Sequence, residues 1–120
     1  MNGNTLRVYL IEDDVSISKA LSALFESVKI DVCSFSDPKA FFEEFEKGRI
    51  QNGCILLDIR LPNMGGLELY EKIKKHNTLP VIFITAHGDI EMAVKAMKLG
   101  AFDFISKPFN NQVLLQAVQK

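Results

Sequence analysis

The chain has 120 residues, and its 14 Lys+Arg against 15 Asp+Glu leave a formal net charge of −1. This length suffices for one domain with its own core, and fractions of 48% hydrophobic and 24% charged residues exclude a disordered or fibrous chain. The near-neutral charge argues against direct binding of nucleic acid by this domain. No long apolar run or leader pattern is present, so we expect no membrane association and a cytoplasmic location.

Five short apolar runs alternate with longer amphipathic stretches. The runs predict strands at 6–11, 30–35, 54–57, 81–85 and 102–105. Three of them are almost continuously apolar, as in strands that helices cover on both faces. The alternation predicts an α/β fold of the flavodoxin-like, doubly wound (βα)5 type, with a five-stranded parallel sheet of order 2-1-3-4-5.

The intervening helices are predicted from apolar residues at helical spacing, such as the stripe over 17–28. Four of the helices follow residues that can mark a helix start: Asp37 with Pro38, Gly65 with Gly66, Asp89, and Asn110 or Asn111. The two cysteines, Cys33 and Cys54, lie in apolar stretches without metal-binding or redox spacing, so we predict that both are reduced core thiols.

Carboxylates collect where the predicted strands end, which is where open parallel sheets bind ligands. Glu12, Asp13 and Asp14 follow the first run, and Asp58 follows the third. Such closely spaced carboxylates repel one another unless a cation neutralises them, and oxygen ligands with retained waters favour Mg²⁺. Taken alone, the first three favour an ordinary role, in which Glu12 and Asp14 are solvated loop carboxylates and Asp13 caps the first helix. The addition of Asp58 favours a metal site.

A carboxylate beside a metal can also act as a nucleophile toward phosphorus and form an aspartyl phosphate. Thr85 ends the fourth run and Lys107 follows the fifth, where a hydroxyl and an ammonium group could bind phosphoryl oxygens. Each has an ordinary explanation when taken singly, as a strand-end hydroxyl or a solvated surface charge. The convergence of four strand ends favours phosphoryl transfer to Asp58.

Four motifs occupy these strand ends: LIEDD at 10–14, LDIRLPNMGG at 57–66, ITA at 84–86 and KPF at 107–109. Their order and spacing resemble those of the two-component response-regulator receiver domain, and the similarity covers essentially the whole chain. The stretches 85–89, 92–94 and 100–104 further resemble receivers of FixJ-type transcriptional regulators, and of the neighbouring NtrC type.

The resemblance implies a role for each matching residue. Asp58 matches the phosphoacceptor, which takes a phosphoryl group from a histidine of a sensor kinase. Asp13, Asp58 and the backbone carbonyl of Arg60 match the ligands of Mg²⁺, for which Mn²⁺ could substitute. Glu12 matches an acidic residue that acts through a metal-bound water, although many members have Asp at that position.

The remaining positions match the switch of the family. Thr85 matches the hydroxyl that turns toward the phosphoryl group, and Lys107 matches the ammonium that contacts it. Ala86 matches a small residue that leaves the site accessible, and Pro108 a proline that aims the preceding lysine. Phe104 stands where Tyr is common, so that only inward packing can select its rotamer.

The resemblance also implies an output surface on the fourth helix and fifth strand. Its candidate residues are Met92, Lys95, Lys98 and Asp103, and relatives of the FixJ type dimerise through this face when phosphorylated. We therefore expect residues 1–120 to be the receiver domain of a longer transcriptional regulator, with a C-terminal DNA-binding domain beyond them.

Other classes of protein fit the sequence less well. Mg²⁺-dependent aspartyl-phosphate hydrolases typically carry a second Asp two positions after the nucleophile, where this chain has Arg60. A flavodoxin-like cofactor-binding domain needs a phosphate loop after the first strand, where this chain is acidic. His87 lies in a predicted loop and His76 at the predicted surface, so neither is expected to be a phosphodonor. We predict a switch that modifies only its own Asp58, and no conventional enzyme.

Overall fold

The computed structural model describes residues 7–61, 65–77, 79–85, 90–107 and 111–119. Five strands alternate with five helices there, as predicted, and the predicted strand bounds agree to within one residue. In chain order the elements are β1 (Arg7–Ile11), α1 (Val15–Ser27), β2 (Asp31–Phe35), α2 (Pro38–Glu46), β3 (Cys54–Asp58), α3 (Gly66–Ile73), β4 (Val81–Thr85), α4 (Ile90–Lys98), β5 (Asp103–Ser106) and α5 (Asn111–Gln119). None of these helices is long and apolar enough to cross a lipid bilayer.

The strands form one parallel sheet in the order β2-β1-β3-β4-β5, which confirms the predicted flavodoxin-like topology. Strands β3 and β4 are buried at every position, and β1 is buried at every position except Arg7. This burial follows from helices on both faces of the sheet, and it explains why these strands are almost continuously apolar.

Successive side chains of a strand point to opposite faces, so the sheet separates two cores. Leu57 of β3 packs in one core with Phe41 of α2 and with residues of α3. Its neighbour Leu56 packs in the other core with Phe25 of α1 and Leu114 of α5. The central strands are thus fixed from both sides, which gives the residues at their carboxyl ends a rigid support.

Helix α1 begins directly after the acidic run, and Asp14 caps it. The Asp14 Oδ1 accepts hydrogen bonds from the amides of Ser16 at 2.9 Å and Ile17 at 3.2 Å. A cap by Asp13, the alternative considered from the sequence, is therefore wrong. The side chain of Asp13 is left available for the site at the carboxyl end of the sheet.

The predicted start of α2 is confirmed, because Asp37 accepts from the Lys39 amide at 2.9 Å and Pro38 is the first helical residue. Helix α5 begins at Asn111. The other predicted caps, Asp89 and Asn110, lie outside the described residues.

The prediction that both cysteines lie in the core is correct for Cys54 and wrong for Cys33. Both thiols are free, and burial raises the pKa of the Cys54 thiol to about 11. Cys33 is exposed because β2 is an edge strand that the helices cover incompletely. The predicted apolar stripe of α1 also ends early, since Val28 follows the helix and is 41% exposed.

Candidate functional site

The carboxyl end of the sheet brings four predicted site residues together. Glu12 directly follows β1, and Asp58 is the last residue of β3. Thr85 is the last residue of β4, and Lys107 directly follows β5. Because Ile11 lies beside Leu57 in the parallel register, the residues that follow them in the chain meet at the same end of the sheet.

Three carboxylates form the acidic part of the site. Glu12, Asp13 and Asp58 each place one carboxylate oxygen so that all three lie within 4.8 Å of one another. Glu12 is 2% exposed and Asp58 is 5% exposed, whereas Asp13 is exposed. The site is therefore partly dry, and one of its carboxylates faces solvent.

The Asp58 carboxylate is held by the backbone of its own loop. Its Oδ1 accepts a hydrogen bond from the Arg60 amide at 3.0 Å. Its Oδ2 lies 3.5 Å from the Lys107 Nζ. One oxygen is thus fixed by the loop after β3, and the other faces the cation that follows β5.

Glu12 is the most strongly perturbed carboxylate of the described residues. Its Oε2 accepts from the Asp14 amide at 3.1 Å, and its Oε1 lies 3.3 Å from the Lys107 Nζ. The Oε1 contact has ion-pair distance without the alignment of a hydrogen bond. Burial, followed by the neighbouring Asp58 carboxylate, raises the pKa of Glu12 to about 7, against the lowering effects of the Asp14 amide and Lys107.

Lys107 balances part of this negative charge. Its side chain is 24% exposed, and its amide donates to the Thr85 carbonyl at 2.8 Å, which ties the residue after β5 to the end of β4. Burial disfavours the charged ammonium group, but attraction to Asp58 and Glu12 outweighs burial and raises the pKa of Lys107. Lys107 is therefore a cation at neutral pH.

Thr85 places a hydroxyl group inside the protein beside this site. The residue is fully buried, and among the described residues its Oγ1 has no hydrogen-bond partner. A buried hydroxyl without a partner loses the bonds that water would supply. The hydroxyl is consequently free to bind an acceptor that enters the site.

The residues at the carboxyl end fit a hard divalent cation. The donor atoms are all carboxylate oxygens, and the Lys107 ammonium group contacts two of the three acidic side chains, Glu12 and Asp58. The pKa of Glu12 is raised, and among the described residues its buried Oε1 has an ion-pair contact with Lys107 but no hydrogen bond, which indicates that too little positive charge surrounds this carboxylate. A cation bound there would remove the repulsion.

The residues of the predicted output surface differ in their exposure to solvent. Lys95 and Lys98 are exposed on α4, and Asp103 at the start of β5 is partly buried. Met92 and Phe104 are partly buried and pack against the core that contains Phe41.

Sequence reasoning missed three exposed apolar residues of α4, Ile90, Val94 and Met97, which are 55%, 44% and 38% exposed. The helical spacing could have shown this, because Ile90, Val94 and Met97 lie at i, i+4 and i+7 on one face of the helix, beside the face that carries the buried Ala93 and Ala96. Three other residues of the prediction, Ala86, His87 and Pro108, lie outside the described residues, and His76 is exposed as predicted.

Comparisons with known proteins agree with the fold and with the motifs. The family model for the response regulator receiver domain matches residues 8–119. Response regulator protein TmoT of Ectopseudomonas mendocina is 42% identical over 120 residues, which are 99% of this chain and 54% of that protein. Transcriptional regulatory protein FixJ of Bradyrhizobium diazoefficiens is 35% identical over 113 residues, which are 93% of this chain and 54% of FixJ.

A solved structure shows the same relationship in three dimensions. The crystal structure of full-length FixJ from B. japonicum matches with a TM-score of 0.89 and 33% identity, over 98% of this chain and 57% of that one. The chain spans about half the length of the curated relatives it matches. The match over residues 8–119 shows that this chain belongs to the response regulator receiver domain family, and its relatives support a receiver of the FixJ type.

Proposed function

We propose that the domain is a phosphorylation switch in which Asp58 accepts a phosphoryl group from a phosphohistidine of a sensor kinase. The observation that carries this proposal is the setting of the Asp58 carboxylate. It is 5% exposed, held by the Arg60 amide at 3.0 Å, and close to Lys107 and to two further carboxylates. Receivers of this family interact with sensor histidine kinases and bind Mg²⁺ at an acidic pocket.

The transfer itself needs little more than positioning and charge neutralisation. An Asp58 oxygen forms a bond to phosphorus while the phosphorus–nitrogen bond of the phosphohistidine breaks, and the imidazole nitrogen keeps the electron pair. Lys107, which already faces the Asp58 Oδ2, contacts a transferred phosphoryl oxygen. The domain later loses the phosphoryl group by hydrolysis, so it modifies only itself and is no conventional enzyme.

A divalent cation completes the site. Asp13, Asp58 and the backbone carbonyl of Arg60 would hold Mg²⁺, or Mn²⁺ in its place, and Glu12 would act through a water. When bound, the cation supplies positive charge that offsets the carboxylates and the incoming phosphoryl oxygens. Support comes from the carboxylate oxygens within 4.8 Å of one another and from the unfavourable ionisation of Glu12 without a cation.

The switch follows from the free hydroxyl of Thr85. A phosphoryl group on Asp58 offers acceptor oxygens, and the Thr85 Oγ1, which has no partner among the described residues, turns to donate to one of them. Its movement opens space for Phe104, which is partly buried on the adjacent strand β5, two residues before the register partner of Thr85. Ala86 and Pro108 lie outside the described residues, and we assign them the roles that the family resemblance implies: a small residue that leaves the site accessible and a proline that orients Lys107.

The repacking changes the surface formed by α4 and β5, which then joins two copies of the chain. Its residues are Met92, Lys95, Lys98 and Asp103, together with the exposed Val94 and Met97. Exposed apolar side chains on α4 favour such a contact, because a dimer would remove them from water. Addition of beryllofluoride and Mg²⁺, followed by measurement of molecular size, tests this step.

We further propose that the domain belongs to a longer cytoplasmic regulator, in which a DNA-binding domain follows the receiver and controls transcription. Support comes from relatives named transcriptional regulatory proteins, of which the chain covers about half. The receiver itself, with a net charge of −1, is not expected to contact DNA.

The proposal is tested by labelling with acetyl phosphate in the presence of Mg²⁺. Intact-mass measurement should show the gain of one phosphoryl group on the wild-type domain and none on Asp58→Asn. Asp37→Asn is the matched control, because it makes the same change at an exposed helix cap where Asn also functions. Labelling of Asp58→Asn at the wild-type rate would refute the assignment.

An aspartyl-phosphate hydrolase is disfavoured because Arg60 occupies the position of the general acid–base residue in that class of enzyme, and an arginine cannot fill this role at neutral pH.

A further inference from the structure

Two consecutive glycines lead into α3, and the structure distinguishes them. A Cβ atom placed on Gly66 would lie 2.3 Å from the Asp58 carbonyl oxygen, 2.8 Å from the Ile59 Cα and 3.1 Å from the Asp58 carbonyl carbon. A Cβ atom on Gly65 would meet nothing within 4 Å. The close approach therefore belongs to Gly66 alone of this pair, and it is made to the backbone of the proposed phosphoacceptor.

The contact cannot be relieved by a side-chain rotation, because all three atoms belong to the main chain. The Gly66 amide donates to the Ile59 carbonyl at 3.0 Å, and the Ile59 amide donates to the Ile84 carbonyl of β4 at 3.0 Å. The backbone after Asp58 is thus held between α3 and the sheet. Lengthening 2.3 Å to an ordinary contact of 3.4 Å requires a displacement of about 1.1 Å.

A displacement of this backbone would reach the Asp58 carboxylate. The carboxylate is bound to the same segment through the Arg60 amide at 3.0 Å. Its partners Glu12 and Lys107 lie after β1 and after β5, in segments of the chain that are separate from α3. The carboxylate would therefore move relative to both partners.

We infer that Gly66 is a positioning residue for Asp58, an inference that rests on the proposed function. The missing side chain lets the first turn of α3 lie directly on the Asp58 carbonyl group. This packing fixes the distance of the Asp58 carboxylate from Glu12 and Lys107. A misplacement of about 1 Å at a reacting group is enough to slow a reaction about 100-fold.

The test compares Gly66→Ala with Gly65→Ala. Both glycines have a φ outside the left-handed region, so alanine meets no backbone strain at either position. At saturating acetyl phosphate and Mg²⁺, Gly66→Ala should lower the rate of Asp58 phosphorylation per folded molecule by roughly 10- to 100-fold. Gly65→Ala should keep the wild-type rate.

A second measurement, made without metal or phosphodonor, separates positioning from stability. The backbone amide of Arg60 reports the Asp58 carboxylate that it binds, and its chemical shift can be followed by NMR. This resonance should move in Gly66→Ala and stay in place in Gly65→Ala. A loss of stability alone would leave it unchanged in the folded molecules.

The folded fraction is measured by urea unfolding, and an excluded osmolyte is added if Gly66→Ala needs stabilisation. The inference is refuted if Gly66→Ala keeps both the rate per folded molecule and the Arg60 resonance, since α3 would then have moved alone. It is also refuted if the variant never folds, because Gly66 would then serve folding only. Absence of labelling in the wild-type domain would instead refute the proposed function.

Discussion

Replacement of Glu12 by glutamine should stabilise the metal-free domain above neutral pH. Glu12 is 2% exposed, and its folded-state pKa is raised from 4.5 to about 7, first by burial and then by Asp58. A carboxyl group with a raised pKa stabilises the fold while it is protonated and loses that contribution as the pH rises through the folded-state value. The wild-type domain should therefore lose stability between about pH 4.5 and about pH 7.

The magnitude follows from the size of the pKa change. Each pKa unit corresponds to about 1.4 kcal/mol, so a rise from 4.5 to about 7 corresponds to about 3 kcal/mol. Glutamine resembles the protonated carboxyl group in shape and charge. Metal-free Glu12→Gln should thus match the wild type at about pH 4.5 and exceed its free energy of unfolding by about 3 kcal/mol at about pH 8.

Urea unfolding in the presence of a chelator measures this difference. The matched control is Asp13→Asn, which removes the same charge from the exposed carboxylate of the cluster and should give little stabilisation. The reasoning is refuted if Glu12→Gln and the wild type have equal unfolding free energies at about pH 8. It is also refuted if Asp13→Asn stabilises the domain as much as Glu12→Gln does.

Three further predictions concern the same end of the sheet. Thr85→Val should raise the unfolding free energy of the unphosphorylated domain by about 1 kcal/mol, because the substitution removes a buried hydroxyl that has no partner among the described residues. Urea unfolding measures the change, and a loss of stability in the variant would contradict the prediction. Asp14→Ala should lower the unfolding free energy by about 1 kcal/mol, because it removes the N-cap of α1. Asp37→Ala should have a similar effect through loss of the N-cap of α2. An unchanged urea midpoint in a variant would contradict the prediction for that cap. Mg²⁺ should raise the thermal midpoint of unfolding more at about pH 8 than at about pH 6, because Glu12 is largely protonated at the lower pH and then contributes less negative charge to the cation site. Equal rises at the two pH values would contradict this prediction. Asp58→Asn should remove most of the effect of Mg²⁺.

The sequence predicts the fold well because each strand carries its own signal. Runs such as 54–57 and 81–84 are apolar at every position, and this pattern occurs where helices cover both faces. The end of each run marks the end of a strand, so the sequence alone identifies Asp58 and Thr85 as strand-end residues. Cys33 was misplaced because an apolar stretch does not show whether its strand is central or at an edge.

The geometry within the site was beyond reach of the sequence. The acidic run 12–14 has three carboxylates in a row, and only the structure shows that Asp14 turns away to cap α1 while Glu12 is buried. The sequence alone also does not distinguish Gly65 from Gly66 at the start of α3. Their difference depends on which one packs against the end of β3, which is a tertiary contact.

The exposure of Cys33 gives the domain one natural attachment point for a probe. The wild-type chain has two cysteines, and the thiol of Cys54 is buried with its pKa raised to about 11, so a thiol-reactive dye should attach to Cys33. Strand β2 lies four strands away from β5, a span of about 19 Å across the sheet. A dye on Cys33 therefore sits on the opposite edge from the surface formed by α4 and β5. It can report tumbling and self-association by fluorescence anisotropy without an engineered cysteine and without blocking the contact that is being measured.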